Sequence, residues 1–291
     1  MYRLVLFVLL LAQVGSSPST LPKLQIEGPP ELATVRTRLQ SIDPQRFADI
    51  KQLVGGTDGG PAIQVILAPE NSDLARGVSK WIAGFAVGAS DSVVIFPARS
   101  PSYPDDTLED VLRHEVAHVL IWRASAGQPV PRWFDEGLAM AAERERRFED
   151  QTQLLYQFVT GSRTNLVELN RLFSGGQNDQ IRAYALSGAV VRDVLLQYGP
   201  AACDEILMRV SRGARFDAAF EAVTGLTPDN MEAEFWDRQR IWTTWVPIIA
   251  SSTTLWLTVT MLAILAIYMR RRKNRAIEEQ WAKEEKDESE S

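Results

Sequence analysis

The segment His114-Glu115-Val116-Ala117-His118 constrains the fold of this 291-residue chain more than any other. Two histidines four positions apart lie on one face of a helix, where both imidazoles can hold a single Zn²⁺ ion. The glutamate between them is then placed to take a proton from a metal-bound water. The chain has two histidines, and both lie in this motif. The sequence therefore predicts a helix that binds one zinc ion per chain, with His114 and His118 as ligands and Glu115 as general base.

A zinc ion that activates water takes three ligands from the protein and keeps a fourth position open. Since no third histidine exists, the remaining ligand must be a carboxylate or Cys203, whose spacing with later apolar residues favours a buried side chain instead. The best candidate is Glu136, in the segment PRWFDEGLA of residues 131–139. Seventeen residues separate it from His118, which is enough for one helix to end and a second to pack back. The other interpretation of Glu136 is an acid beside the positive end of a helix.

Both motifs resemble those of the gluzincin metallopeptidases, and most closely those of the peptidase MA-like families, which carry W-x-x-E-G-x-A. The resemblance implies zinc ligands at His114, His118 and Glu136, a general base at Glu115, and hydrolysis of peptide bonds in a peptide or protein substrate. It also implies a zincin-like fold, in which the edge of a small sheet pairs with the substrate.

The resemblance continues over roughly residues 62–236. Residues 183–187, AYALS, are similar to an A-Y-x-x-S element of the family, and residues 216–236 resemble its closing helices. In related enzymes, a tyrosine placed like Tyr184 donates a hydrogen bond to the oxyanion that develops in the transition state. A tyrosine packed in the core is the competing interpretation, and a role for Ser187 has less support than one for Tyr184.

One position departs from the pattern of the thermolysin-like members, in which an aspartate four residues after the glutamate ligand orients a zinc-binding histidine. Met140 occupies that position here. Ligating histidines usually donate their second ring N–H to an acceptor. Asp135, Glu143 and a backbone carbonyl are the candidates for this acceptor, and the sequence does not choose among them.

Between residues 18 and 244, strand patterns come early and helical patterns come late. Segments rich in β-branched residues predict strands at 62–68, 84–88 and 92–96, the last two as a hairpin. Residues 31–54 are predicted to be helical behind a proline-rich leader, and helices broken by glycines should follow from 131 to 240. This order favours an α+β fold with a small N-terminal sheet, an active-site helix and a mainly helical C-terminal part.

The motif helix has a clear start and end in the sequence. Thr107 and Asp110 form a capping box, and Gly127 is the expected terminator, so the helix should run to about Ala126. Its periodicity predicts apolar residues on buried faces, with Trp122 among them. Two arginines interrupt these faces, so this is not a membrane helix, and the motif belongs to a water-exposed domain.

Two apolar segments lie outside this fold. Residues 1–17 have the layout of a cleavable secretory signal, and residues 245–269 carry no charge over 25 positions, enough for a helix to cross the membrane. Five basic residues follow at once, and such a cluster stays in the cytoplasm. We therefore expect a single-pass protein of the cell membrane, with its N-terminal domain outside the cytoplasm and its C-terminus inside.

The expected organisation follows from these patterns, with boundaries at the changes in composition. It consists of a signal peptide (1–17), a leader and helix (18–61), a gluzincin-like peptidase domain (62–240), a transmembrane helix (245–269) and a cytoplasmic tail with basic and acidic residues (270–291). Whether residues 18–60 act as a pro-segment stays open. The net charge of −6 argues against a nucleic-acid partner.

The sequence thus predicts a membrane-anchored zinc metallopeptidase that acts outside the cytoplasm. An endopeptidase is preferred to an aminopeptidase, because the chain has no G-x-M-E-N run to anchor an α-amine. The alternative is a catalytically silent zincin-fold ectodomain that serves as a binding scaffold, or as a sensor whose short tail docks a cytoplasmic partner. An intact Glu115 counts against a scaffold, since binding alone has no need of this base.

Overall fold

The structure of the chain, a computed structural model, describes most residues between 21 and 273. The described residues are 21–55, 60–99, 101, 105, 107–143, 164–249, 256–257 and 259–273. The predicted signal peptide and most of the predicted tail lie outside them. The chain forms two units: Met1–Gln157 with Ser162–Phe235, and Phe158–Gly161 with Trp236–Ser291. The candidate ligands belong to the first unit.

A four-stranded mixed sheet forms one part of the first unit. Its strands are β1 (Leu24–Glu27), β2 (Ile63–Leu67), β3 (Gly84–Val87) and β4 (Ser92–Ile95), in the order β1-β2-β4-β3. The pairs β1–β2 and β2–β4 are parallel, whereas β3 is antiparallel to β4 and forms an edge. The three strands that the sequence predicts are present within one residue of the predicted bounds.

The N-terminal segment differs from its prediction in two ways. β1 lies within the expected leader and pairs with β2 in the register Leu24↔Ile63, so this segment is part of the sheet. The continuous helix predicted at 31–54 is wrong, because Pro44 has no N–H to continue it and disfavours helical backbone at Asp43, whose side chain caps Gln45 N instead. The observed elements are short 3₁₀ turns at Pro30–Leu32 and Pro44–Phe47, α1 (Ala33–Gln40) and α2 (Ala48–Val54).

Helices make up most of the remaining described chain, as the prediction of an α+β fold requires. They are α3 (Asp73–Arg76), α4 (Leu108–Ala124), α5 (Arg132–Glu143), α6 (Leu166–Leu172), α7 (Gln177–Tyr198), α8 (Ala202–Ser211), α9 (Phe216–Thr224) and α10 (Pro228–Ile249). The predicted breaks at Gly175-Gly176, Gly199, Gly213 and Thr227-Pro228 all separate helices, and the one at Gly161 lies outside the described residues.

Residues 259–273 are also helical. Among the residues that the structure describes, no helix combines the length and the apolar character needed to cross a membrane. Part of the predicted span, residues 250–255 and 258, lies outside them.

Helix α4 lies at the centre of the first unit and contacts β3, β4, α2, α5 and α8. The capping box predicted for it is present, since Thr107 Oγ1 accepts from Asp110 N and Asp110 accepts from Thr107 N. The helix ends at Ala124, two residues before the predicted end. The prediction that Trp122 is buried is wrong, because 42% of this residue is exposed. Periodicity does not distinguish a core face from a face that borders a cleft.

Helix α5 packs closely against α7, and a glycine makes this possible. A Cβ atom at Gly137 would lie 2.4 Å from the backbone oxygen of Ser187, far inside van der Waals contact. Because that neighbour is backbone and not the end of a flexible side chain, a larger residue would force the helices apart. Gly137 follows Glu136 directly, so this contact fixes the position of the Glu136 backbone relative to α7.

Replacing Gly137 with alanine should lower the free energy of unfolding by about 1–3 kcal/mol, because an overpacked contact between two backbones has to open. Chemical denaturation measures this change. Gly77→Ala is the matched control, since a Cβ at Gly77 meets no atom within 4 Å, and its effect should stay within about 0.5 kcal/mol. Equal stabilities for the two variants would contradict the packing argument.

Candidate metal centre and its cleft

Two helices bring the three predicted ligands together. His114 and His118 lie four positions apart on α4, and Glu136 reaches them from α5. Oε2 of Glu136 lies 3.4 Å from Nε2 of each histidine, and the three ligand atoms all lie within 4.8 Å of one another. Two imidazole nitrogens and a carboxylate oxygen are a donor set that catalytic zinc sites use. The residues therefore fit a divalent metal ion.

The charges at this centre favour a cation. Burial alone would lower the pKa of His118, but the carboxylates of Asp135 and Glu136 raise it well above its usual value. Burial would raise the pKa of Glu136, whereas the charge of His118 and hydrogen bonds from both histidines hold it far below its usual range. Without a metal, one proton on His118 thus offsets only part of the charge of the two carboxylates. A divalent ion would replace that proton with a larger positive charge.

Asp135 is the acceptor that orients His118. Its Oδ1 lies 3.0 Å from Nδ1 of His118, so this nitrogen donates to the carboxylate and Nε2 faces the centre. Of the acceptors that the sequence left open, Asp135 is the one that contacts His118. The side chain of Glu143 is not among those that the structure describes. Met140 is fully buried, with its thioether against Gly188.

Arg132 is a member of the centre that sequence reasoning missed. Its Nε donates to Oε1 of Glu136 at 3.2 Å, and its guanidinium lies 4.5 Å from the ring centroid of Phe173. Because Arg132 binds Oε1, it is Oε2 of Glu136 that faces the two histidines. The spacing of four residues within one helix is a usable signal, because such pairs face each other.

The remaining candidates fall into two groups. Glu115 and Tyr184 border the same cleft, and the ring of Tyr184 lies 6.2 Å from that of His114. Burial and, next, the charge of Glu136 raise the pKa of Tyr184, so its hydroxyl keeps its proton and can donate. Ser187 is fully buried under Gly137 and does not border the cleft. Cys203 is buried in α8, where burial raises its pKa to about 12, and it is not part of the cluster.

The cleft has a volume of about 800 Å³ and is bordered by α4, α5, α7, the edge strand β3 and the loop 128–130. Gly84, Phe85 and Ala86 of β3 form one wall. An edge strand presents unpaired backbone groups with which an extended peptide can pair. The arrangement can therefore hold an extended chain beside a metal centre that has the carboxylate of Glu115, in addition to that of Asp135, outside the ligand set.

Comparison with known families agrees with this arrangement. A family model described as the Peptidase MA superfamily matches residues 77–243, which is more than half of the chain. The matched region begins before β3 and includes α4, α5 and α7, so it contains every residue of the candidate centre. No match to a curated protein was found.

Replacing Asp135 with asparagine should weaken binding of Zn²⁺ about 10–100-fold, because His118 loses the negative partner that fixes its ring. Competition with a chelating dye measures the affinity. Asp217→Asn is the control, since Asp217 is an exposed acid on α9 that pairs with Arg215 at the N-cap of that helix. Unchanged affinity in Asp135→Asn would show that Asp135 does not support the ligand.

Binding of zinc should release about one proton per ion at neutral pH, because the raised pKa of His118 keeps this ligand protonated in the metal-free chain. The apparent affinity should therefore rise with pH until the pKa of His118 is passed, approaching tenfold per pH unit below it. Titration calorimetry in buffers of different ionisation enthalpy counts the protons. Release close to zero at neutral pH would contradict the protonated state of His118.

Proposed function

The chain belongs to the peptidase MA superfamily, and from this we propose that it is a zinc-dependent metallopeptidase that hydrolyses peptide bonds. One observation carries the proposal. Ligand atoms of His114, His118 and Glu136 converge within 4.8 Å in a cleft that also contains Glu115. A scaffold would need the three ligands, but it would not need Glu115, a further carboxylate that binds no metal in this proposal.

In this proposal, His114, His118 and Glu136 hold one zinc ion. When bound, zinc polarises the scissile carbonyl and makes a water molecule easier to deprotonate. Asp135 keeps Nε2 of His118 directed at the centre, and Arg132 holds Oε1 of Glu136 so that Oε2 stays on the side of the histidines. These two residues act through the ligands and are positioning residues.

Glu115 moves the proton. This residue borders the cleft and is 8% exposed, so it is largely shielded from bulk water and still open to the substrate. It accepts a proton from the attacking water and delivers it to the leaving amine. Tyr184 keeps its hydroxyl proton and donates a hydrogen bond to the carbonyl oxygen as negative charge develops there.

An endopeptidase fits the cleft better than an aminopeptidase. The cleft extends along β3, whose outer edge can pair with an extended chain on both sides of the scissile bond. The acidic residues Glu115, Asp135 and Glu136, which line the cleft, each already have a role at the metal centre.

We also propose that the chain is anchored in the cell membrane by residues 245–269, with the peptidase domain outside the cytoplasm. The support comes from the sequence: a charge-free segment of 25 residues precedes a basic block, and an apolar segment with a basic start opens the chain. The substrate would then be an extracytoplasmic peptide or protein.

Replacing Glu115 with glutamine should reduce kcat for peptide hydrolysis at least 10²–10⁴-fold, on the order expected for loss of a general base. Zinc content should stay near one ion per chain, because Glu115 is not a ligand in this proposal. Cleavage of unfolded protein substrates followed by mass spectrometry measures the activity, and elemental analysis measures the metal.

The matched control is Glu109→Gln on the same helix, whose carboxylate pairs with Arg46 away from the centre and should leave kcat unchanged. If the chain binds one zinc ion but shows no hydrolysis that is lost in Glu115→Gln, the peptidase proposal is overturned and the scaffold is favoured. A chain that binds no zinc would overturn the proposed site as well.

A further inference from the structure

Trp122 lies beside the metal centre, and the proposed mechanism leaves it unused. It follows His118 by four positions on α4, as His118 follows His114, so the three side chains lie along one face of the helix. Although large apolar residues of such a helix are mostly buried, 42% of Trp122 is exposed, and it borders the cleft. A large aromatic side chain in this position has surface available to a ligand.

Two glycines outside α4 pack against the Trp122 ring. A Cβ atom at Gly88, directly after β3, would lie 2.4 Å from Cγ of Trp122, and one at Gly127 would lie 3.0 Å from Cζ2. The φ angle of Gly88 is not positive. Contact with the indole, and not backbone conformation, therefore excludes a side chain at this position. The Trp122 ring is therefore fixed on the side that contacts the two glycines, and the rest of the ring stays exposed.

The loop that follows Gly127 carries no charge where it borders the cleft beside Trp122. Gly88 and Gly127 contact the Trp122 ring, and the cleft residues that follow Trp122 along the chain are Ser125, Gln128, Pro129 and Val130. The charged residues of the cleft, Glu115, Arg132, Asp135 and Glu136, instead belong to the metal centre. An aromatic surface that shares its part of the cleft with proline and valine favours an apolar side chain over a charged one.

We propose that Trp122 and the loop 128–130 form a subsite for a large apolar side chain of the substrate. The proposal rests on the proposed peptidase function and specifies its substrate class: extended peptides with a bulky apolar residue at a fixed distance from the scissile bond. Trp122 is then a residue that determines specificity.

The fold sets this distance. Gly84 contacts Glu115 and Gly88 contacts Trp122, so β3 runs along α4 from the general base to the tryptophan. Seven helical residues cover about 10 Å at about 1.5 Å each. An extended peptide advances about 3.3 Å per residue. The apolar residue should therefore lie about three positions from the scissile bond.

The first experiment maps cleavage sites. The full-length chain with zinc is incubated with a peptide library, and the products are sequenced by mass spectrometry. Bulky apolar residues should be enriched at one position about three residues from the bond, with about tenfold higher kcat/KM than alanine there, mainly through KM. Trp122→Ala should abolish the enrichment at this position alone, and Trp122→Phe should retain it.

A glycine pair gives the matched control. Gly88→Ala should displace the indole and weaken the same preference, whereas Gly77→Ala, where a new Cβ meets nothing, should not change it. These variants keep the proposal testable if Trp122→Ala fails to fold. Cleavage without an apolar preference at any position near the bond, or with a preference that survives in Trp122→Ala and Gly88→Ala, overturns the subsite and leaves the peptidase intact.

The second experiment does not require turnover. Fluorescein-labelled, alanine-based decapeptides with a single phenylalanine are titrated into the Glu115→Gln chain, and affinity is read by fluorescence polarisation. Tighter binding of one phenylalanine register, lost on adding Trp122→Ala, supports the subsite even if the wild-type chain cleaves nothing, in which case only the peptidase function is overturned. Affinity that is independent of phenylalanine or of Trp122 overturns the subsite.

Discussion

The approach of α5 to α4 is the constraint on which the rest of the site depends. A metal ligand on one helix has to come within about 3–4 Å of two ligands on another, and all three are largely buried, so small displacements separate them. Gly137 sets where α5 lies relative to α7, because α5 rests on the backbone of Ser187 without an intervening Cβ. The glycine that follows the glutamate in the motif is therefore a packing requirement. It sets the position of Glu136 without any contact to a metal.

Burying two carboxylates next to two imidazoles is costly unless their charges are compensated, and the neighbouring residues provide this compensation in an ordered way. Asp135 binds the outer nitrogen of His118, and Arg132 binds the outer oxygen of Glu136. Two of the three ligands, His118 and Glu136, are thus held at the atom that faces away from the centre. The inner atoms, Nε2 and Oε2, remain directed at one another. Positive charge at this point, as a proton or as a metal ion, stabilises the arrangement, which links metal binding to pH.

The parts of the fold that depend on local signals could be predicted from the sequence. The capping box at Thr107, the strands near 62–68 and 92–96, and Glu136 as the residue that meets the two histidines all follow from short patterns. β1 could not be predicted in this way, because a strand of four residues becomes stable only through its parallel partner, which is 39 positions away in the register Leu24↔Ile63. The exposure of Trp122 has the same cause, since it depends on where β3 and the loop after α4 lie.

Arg99 fixes the segment that leads into β3, the strand that forms one wall of the cleft. Its guanidinium is buried, binds Glu70, lies 4.0 Å from the centroid of the Phe96 ring, and donates to the backbone oxygens of Ser79 and Ile82. Ile82 lies two residues before the start of β3, so these bonds fix the entry of the edge strand. A strand that is fixed at its start and packed against Trp122 at its end has little freedom to adjust to a peptide. In the proposed peptidase, the cleft would therefore select among substrates by the fit of their side chains, because the position of its edge strand is set before the substrate arrives.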